Sequence, residues 1–233
     1  MGNFEKKIET FIRIFIDQNG YVMALEGLKN TLIIAVIGLI IGIVIGTLIA
    51  TVRVLPKYKR LPRVLNAICS FYVELFRGTP IVVQLLIFYY VLLPLLGIRI
   101  PSLNVATLVF GLNSGAYISE IMRSGIQSVD PGQMEAGRAV GLSFGVTMMK
   151  IVIPQAIKNI LPALGNEMIT LFKDTSLLSV IALRDLTKTA LSIQGVTYQA
   201  FMPLVGVALI YLICVIIMTK LLAVLEGRLR ASD

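Results

Sequence analysis

The 233-residue chain has no histidine and no tryptophan, and only two cysteines. Without an imidazole there is no histidine general base and no histidine-ligated metal site. Cys69 and Cys214 lie far apart in apolar surroundings and form no C-x-x-C pair, so they read as small core residues rather than a disulfide. Charge is also scarce: 15% of residues are charged, against about 25% in soluble domains. With 57% hydrophobic residues and a mean hydropathy of +0.87, the chain is neither a soluble globular domain nor a disordered one. No G-x-x-x-x-G-K-[S/T] segment occurs, so the chain has no phosphate-cradling loop for a nucleotide.

What is present is a series of apolar runs near the length of about 20 residues that a bilayer crossing requires. They are continuous rather than alternating, which excludes the pattern of an outer-membrane barrel. The formal net charge of +8 then reads as cytoplasmic loops facing anionic lipid, not as a nucleic-acid surface. The first run is Thr31–Val52, in which Gly38, Gly42 and Gly46 form a small-residue stripe suited to close helix packing. A second contains Ile81–Ile98, in a helix that starts as early as Val64. A third lies within Pro101–Ser119, and a late one covers Phe201–Thr219 and extends toward Val224. Residues 151–172 are mostly apolar but contain Lys158, Glu167, Pro154 and Pro162.

Charge asymmetry decides this last segment at the sequence level. Arg53, Lys57, Lys59, Arg60 and Arg63 place the first linker inside, and Lys220, Arg228 and Arg230 place the tail inside. Two crossings are then needed after residue 150. The expectation is an all-α membrane protein with five transmembrane helices, N-terminus outside and C-terminus cytoplasmic. Residues 1–26 would form an N-terminal segment, 27–226 the membrane domain with a cytoplasmic loop at about 124–150, and 227–233 the tail. Residues 174–200 would form an external connection with short helices. Glu5, Lys6, Lys7, Glu9, Arg13 and Asp17 break up any cleavable signal core. Phe4, Ile8, Phe11, Ile12 and Phe15 recur at helical spacing, which fits either a helix lying in the membrane interface or a short helix packed on the bundle.

The 123–150 connection carries the most specific pattern. Asp130 is a good N-cap, Pro131 suits the first turn, and Gly141 suits the C-terminal cap of a short helix over 131–140. Glu135 and Arg138 share a face of that helix. Within it, Gln133, Glu135, Ala136, Gly137 and Arg138 precede Gly141, and Ile151-Val-Ile-Pro154 follows after nine residues. This resembles the EAA loop of ABC-importer permeases: Glu135, Ala136, Gly141, Ile151 and Pro154 match, while Gly137 and Ile153 replace Ala and Leu. Tyr72–Gln84, Ala116–Arg123 and Gly165–Leu177 are similar to the polar amino acid branch of that family, which takes histidine-, glutamine- and arginine-type substrates.

The resemblance covers about residues 20–226. It implies a type I importer permease that couples through Asp130, Gln133, Glu135, Ala136, Gly137, Arg138 and Gly141 to ABC ATPase subunits. ATP and Mg would sit on those partners, with no cofactor or metal on this chain and no enzymatic activity of its own. An extracytoplasmic amino-acid-binding protein, a second permease copy and membrane lipid complete the implied surroundings in a bacterial inner membrane. A stand-alone secondary amino-acid transporter or channel is the alternative.

Ionisable groups at membrane depth cost roughly 2.5–3.5 kcal/mol or more each, so those that persist are candidates for function. Arg77 offers a two-point fork for an amino-acid carboxylate, and Glu74 or Glu167 could face the ammonium group. Asn166, Thr170 and Lys173 form one stripe, and Glu167, Thr170 and Asp174 an adjacent one. Mutual neutralisation within Glu74–Arg77 and Lys173–Asp174 is the competing reading. Glu120 and Arg123 read as a structural ion pair.

Overall fold

The computed structural model describes the backbone of residues 2–17, 19–55 and 60–230, and the side chains of the same residues apart from 2–4, 229 and 230. Lys57, Lys59, the tail beyond residue 230 and the side chains of Phe4 and Arg230 therefore fall outside the described residues. Every described element is helical. In chain order they are α1 (Gly2–Ile16), α2 (Gly20–Val54), α3 (Arg60–Gly78), α4 (Ile81–Leu86), a π turn at Ile87–Leu92, α5 (Leu93–Leu95) and α6 (Ser102–Gln127). Then come α7 (Pro131–Ala139), α8 (Phe144–Thr147), a π turn at Met148–Val152, α9 (Ile153–Asp174), a 3-10 turn at Thr175–Ile181, α10 (Leu186–Thr197) and α11 (Phe201–Arg230).

The five-span expectation is overturned. Among the described residues three helices, α2, α6 and α11, are long and apolar enough to cross a membrane, and the bent pair Arg60–Gly78 and Ile81–Leu95 makes a fourth span if it counts as one. Two physical features account for the difference. First, α9 carries four charges among its 22 residues, Lys158, Glu167, Lys173 and Asp174, besides Asn159 and Asn166, so one of its sides is polar. Second, the helix expected to run from Val64 into the Ile81–Ile98 span is not continuous. It breaks at Thr79–Pro80, where α3 and the helical run Ile81–Leu95 meet at 103°, and that run alone is too short to count as a span. Pro80 has no N–H and sits extended at φ −64°, ψ 135°, a conformation that starts a new helix rather than continuing the old one.

α2 begins well before the first apolar run, and its 35 residues extend about 52 Å at roughly 1.5 Å per residue. Pro162 lies inside α9 without ending it. The chain divides into two compact units, one formed by Met1–Gly38, Pro80–Phe110 and Ile169–Met218, the other by Leu39–Thr79, Gly111–Met168 and Thr219–Asp233.

In the first unit, Phe11 and Phe15 of α1 stack at 5.5 Å between ring centroids and line a cavity together with Leu186, Ile193 and Val207. The N-terminal helix thus turns Phe11 and Phe15 toward α10 and α11. The 3-10 turn ends at Ala182 with φ 56°. The chain then docks on α2, where a Cβ on Gly27 would lie 2.7 Å from the Asp185 carbonyl oxygen. Asn30 Nδ2 donates to the Arg184 carbonyl at 2.8 Å. Asp185 is fully buried and caps α10 by accepting from the N–H groups of Thr187 and Lys188 at 3.2 and 2.8 Å.

In the second unit, the glycine stripe of α2 brings it against α6. A Cβ on Gly42 would meet Ser114 Oγ at 2.6 Å, and one on Gly46 would meet Ile118 Cγ2 at 2.7 Å. The relationship is reciprocal, since Gly111 and Gly115 of α6 leave room for Ile41 and Ile45. Such small-on-large packing stands in for the hydrophobic drive that is missing in lipid. Cys69 and Cys214 are both free thiols.

Candidate functional site

The 123–150 connection folds as its residues dictate. Asp130 Oδ1 accepts from the Gly132 N–H at 2.9 Å, and Pro131 opens α7 at the position where a missing N–H costs nothing. At the other end Gly141 takes φ +88°. The Leu142 N–H returns to the Gly137 carbonyl and the Gly141 N–H to the Arg138 carbonyl, both at 3.1 Å. That pair of bonds is a Schellman motif, and it ends the helix as the glycine at 141 predicts.

Four contacts tie α7 to the chain around it. Gly137 is buried so closely against Thr147 that a Cβ there would overlap the threonine side chain. Gln155 Nε2 donates to Gln133 Oε1 at 3.2 Å. Met134 packs on a cluster of Val129, Val152, Ala156 and Ile160. Arg138 Nη1 donates to the Leu142 carbonyl at 2.9 Å rather than meeting Glu135. The result is a nine-residue helix capped at both ends, with Glu135, Ala136 and Ala139 exposed on it and Val140 exposed at its C-cap.

A second arrangement in the same unit is electrostatic. Glu120 on α6 gathers arginines from α2, α3 and α6. Its Oε1 accepts from Arg53 Nη1. Its Oε2 accepts from Arg123 Nη2 at 2.6 Å and Nε at 3.0 Å. Arg77 Nη1 stands 4.0 Å from Oε2, while its guanidinium carbon lies 5.2 Å from the centre of the Tyr117 ring. The pair Glu120–Arg123 exists as the spacing predicts. Arg53 and Arg77, 67 and 43 positions away, were not attached to it by any local pattern, and a carboxylate directly after an apolar run was the only available signal.

The remaining sequence candidates are distributed along two helices. Glu74 and Arg77 occupy the end of α3, and both are exposed. Asn166, Glu167, Thr170, Lys173 and Asp174 follow one another on α9, where Asn166, Glu167 and Thr170 each already have an interaction partner. Asn166 and Glu167 belong to the unit that contains Arg77, and Thr170, Lys173 and Asp174 to the other. Near the 123–150 connection, an apolar groove of about 470 Å³ is lined by Ala50, Met122, Ile126, Met148, Ile157 and Leu161, among others. Among the described residues there is no group of three or more acidic or cysteine side chains that could hold a metal.

Residues 38–231 match the family described as the binding-protein-dependent transport system inner membrane component. The chain is 43% identical over 166 residues to the arginine transport system permease protein ArtQ of Bacillus subtilis (strain 168), covering 71% of this chain and 76% of that protein. It is 37% identical over 209 residues to the glutamine transport system permease protein GlnP of Escherichia coli (strain K12), covering 89% and 93%. The crystal structure of an amino acid ABC transporter with histidines matches with a TM-score of 0.84 at 40% identity, over 92% of this chain and 98% of that one. An inward-facing MetNI methionine ABC transporter matches with a TM-score of 0.74 at 19% identity, over 89% and 96%, a likeness of fold alone.

Proposed function

The chain belongs to the binding-protein-dependent transport system inner membrane components and is a transmembrane permease of an ABC-type polar amino-acid importer, and we propose that α7 is the lever through which separate ATPase subunits drive it. It is a multi-pass inner-membrane protein and a non-catalytic transport subunit. ATP and Mg belong to the partner ATPases. An extracytoplasmic amino-acid-binding protein delivers substrate, and a second permease copy, identical or similar, completes the pathway. The N-terminus lies outside and the end of α2 on the cytoplasmic side, a reading supported by Arg53 in the last turn of α2 and by Arg60 and Arg63 just beyond it.

The observation that carries the lever is the double capping of α7. A helix fixed at both ends and seated on Thr147 transmits displacement to α9 without deforming. Its exposed Glu135 and Ala136 are then the docking face, with Asp130, Gln133, Gly137, Arg138 and Gly141 holding it in place. Closure of the ATPases on ATP pulls α7 and opens the pathway outward, and hydrolysis resets it inward. Along that pathway Arg77 meets the substrate carboxylate, Glu74 or Glu167 the ammonium group, and Asn166 a further polar group of the substrate; Thr170, Lys173 and Asp174 are the candidates of the other unit.

The test is a mild-detergent pull-down from native membranes with mass spectrometry of what accompanies the chain. A P-loop ATPase should co-purify with wild type and disappear in Glu135→Arg, while the variant chain stays membrane-inserted. A chain that purifies without such an ATPase, or a Glu135→Arg variant that keeps the partner and transports normally, overturns the lever.

A further inference from the structure

Three guanidinium groups surround one carboxylate at Glu120, and they are not equivalent. Arg53 takes one carboxylate oxygen, and only 16% of its side chain is exposed. Arg123 takes the other oxygen with two donors and gives a third to Gln127 Oε1 at 2.6 Å. Arg77 is what remains. At 4.0 Å it lies outside hydrogen-bond range of Glu120, it donates no hydrogen bond among the described residues, and its side chain is the most exposed of the three at 43%.

From this arrangement we infer that Glu120 is a positioning residue, and that by occupying itself with Arg53 and Arg123 it presents Arg77 as the receptor for the substrate's α-carboxylate. The inference rests on the importer reading above and deepens it. Coulomb attraction holds Arg77 near the cluster without using its donors. The Tyr117 ring beneath supports the guanidinium by cation–π contact. A guanidinium held near an aromatic face keeps N–H groups in its plane for a two-point carboxylate contact. The cluster has a surplus of two positive charges over Glu120, which an arriving anion offsets. Glu74, three residues earlier on α3, is exposed and is not within ion-pair range of Arg77 among the described residues. At i, i+3 spacing their Cβ atoms are about 5–6 Å apart, so a zwitterion can address both at once.

The test uses the purified permease–ATPase complex and direct binding of radiolabelled L-arginine, L-glutamine and L-histidine, with competition by the matching C-terminal amides. An amide keeps the ammonium and side chain but loses the negative charge. In wild type the amide should bind at least tenfold more weakly than its amino acid. In Arg77→Gln that preference should vanish, because the amino acid weakens tenfold or more relative to the amide. Glu120→Gln should reduce the preference several-fold, whereas Arg123→Lys, which retains a partner for Oε2, should keep it.

A wild-type preference in Arg77→Gln overturns the receptor, and so does an equal loss of amino acid and amide, which marks a purely structural arginine. A wild-type preference in Glu120→Gln overturns the positioning role. A wild-type complex that binds none of the three amino acids defeats the importer reading itself, an outcome separate from a lost carboxylate preference.

Discussion

Gly42 of α2 lies so close to Ser114 of α6 that a Cβ on the glycine would sit 2.6 Å from the serine Oγ. No real Cβ tolerates that distance, so the two backbones are as near as a hydrogen side chain permits. Ser114 is itself fully buried and cannot swing into solvent.

Gly42→Val should therefore force α2 and α6 apart and destabilise the chain by about 1–3 kcal/mol, the usual cost of overpacking. Gly206 on α11 has nothing within 4 Å of its Cβ position. Gly206→Ala should be neutral, or stabilising by up to about 1 kcal/mol through the lower entropy of alanine. Thermal unfolding of the two variants in the same detergent measures the difference. Equal shifts for both would mean that the close approach carries no energetic weight.

The caps of α7 make a separate prediction. Asp130→Ala removes the side-chain bond to the Gly132 N–H and should cost about 1 kcal/mol of local helix stability. Gly141→Val puts a β-branched residue at φ +88° and should cost about 1–3 kcal/mol. Both changes leave the exposed Glu135 face chemically intact. Substrate-stimulated ATP hydrolysis in the assembled complex should fall in each, and faster amide exchange across 131–140 should accompany the loss. Wild-type exchange together with reduced hydrolysis would point away from capping.

Asp185 gives a pH dependence with a definite sign. Burial pushes its carboxyl above the usual carboxylate range, although the backbone N–H groups of Lys188 and Thr187 pull the other way. The unfolded value is about 3.9. A group with a raised folded value favours the folded state below the unfolded value, and that contribution is lost as pH rises through the folded value. Asp185→Asn removes the charge and keeps only one of the two capping bonds, because its amide nitrogen cannot accept an N–H, so it should remove this part of the low-pH gain. Asp185→Ala should cost about 1 kcal/mol or more through the lost cap. Melting curves of wild type and both variants between pH 4 and 8 provide the check.

Two contacts of the Arg184 turn with α2 should differ in weight. The Glu26–Arg184 pair is 3.8 Å apart, and each side chain is about 60% exposed, so Glu26→Gln should change stability by less than about 1 kcal/mol. Asn30 holds a carbonyl of the chain segment that seats on Gly27, and Asn30→Ala should cost about 1 kcal/mol. Paired melting measurements at low and high salt separate them: the Glu26 effect shrinks with salt and the Asn30 effect does not.

The sequence by itself determined the solvent, the secondary structure and the family. Apolar runs of bilayer length leave the backbone nothing but helices, because every N–H and C=O must be satisfied within the segment. Asp130, Pro131 and Gly141 set the ends of α7 through local chemistry alone, and the spacing from Glu135 to Pro154 identifies the family because it lies in a single continuous stretch. The Gly42–Gly46 stripe likewise announces close packing, although not its partner.

The tertiary structure decided what depends on residues far apart in the chain. Charge counting made residues 151–172 a fifth span, but a helix with Lys158, Asn159, Asn166, Glu167, Lys173 and Asp174 does not have the apolar surface of one. Hydropathy also ran smoothly through Ile81–Ile98 and gave no hint of a 103° bend against α3, since direction is fixed by two dihedrals at Thr79–Pro80 and not by composition. The joining of Arg53, Arg77 and Arg123 at Glu120 is of the same kind. Coulomb attraction acts through space, and only the packing of α2 and α3 on α6 sets those distances.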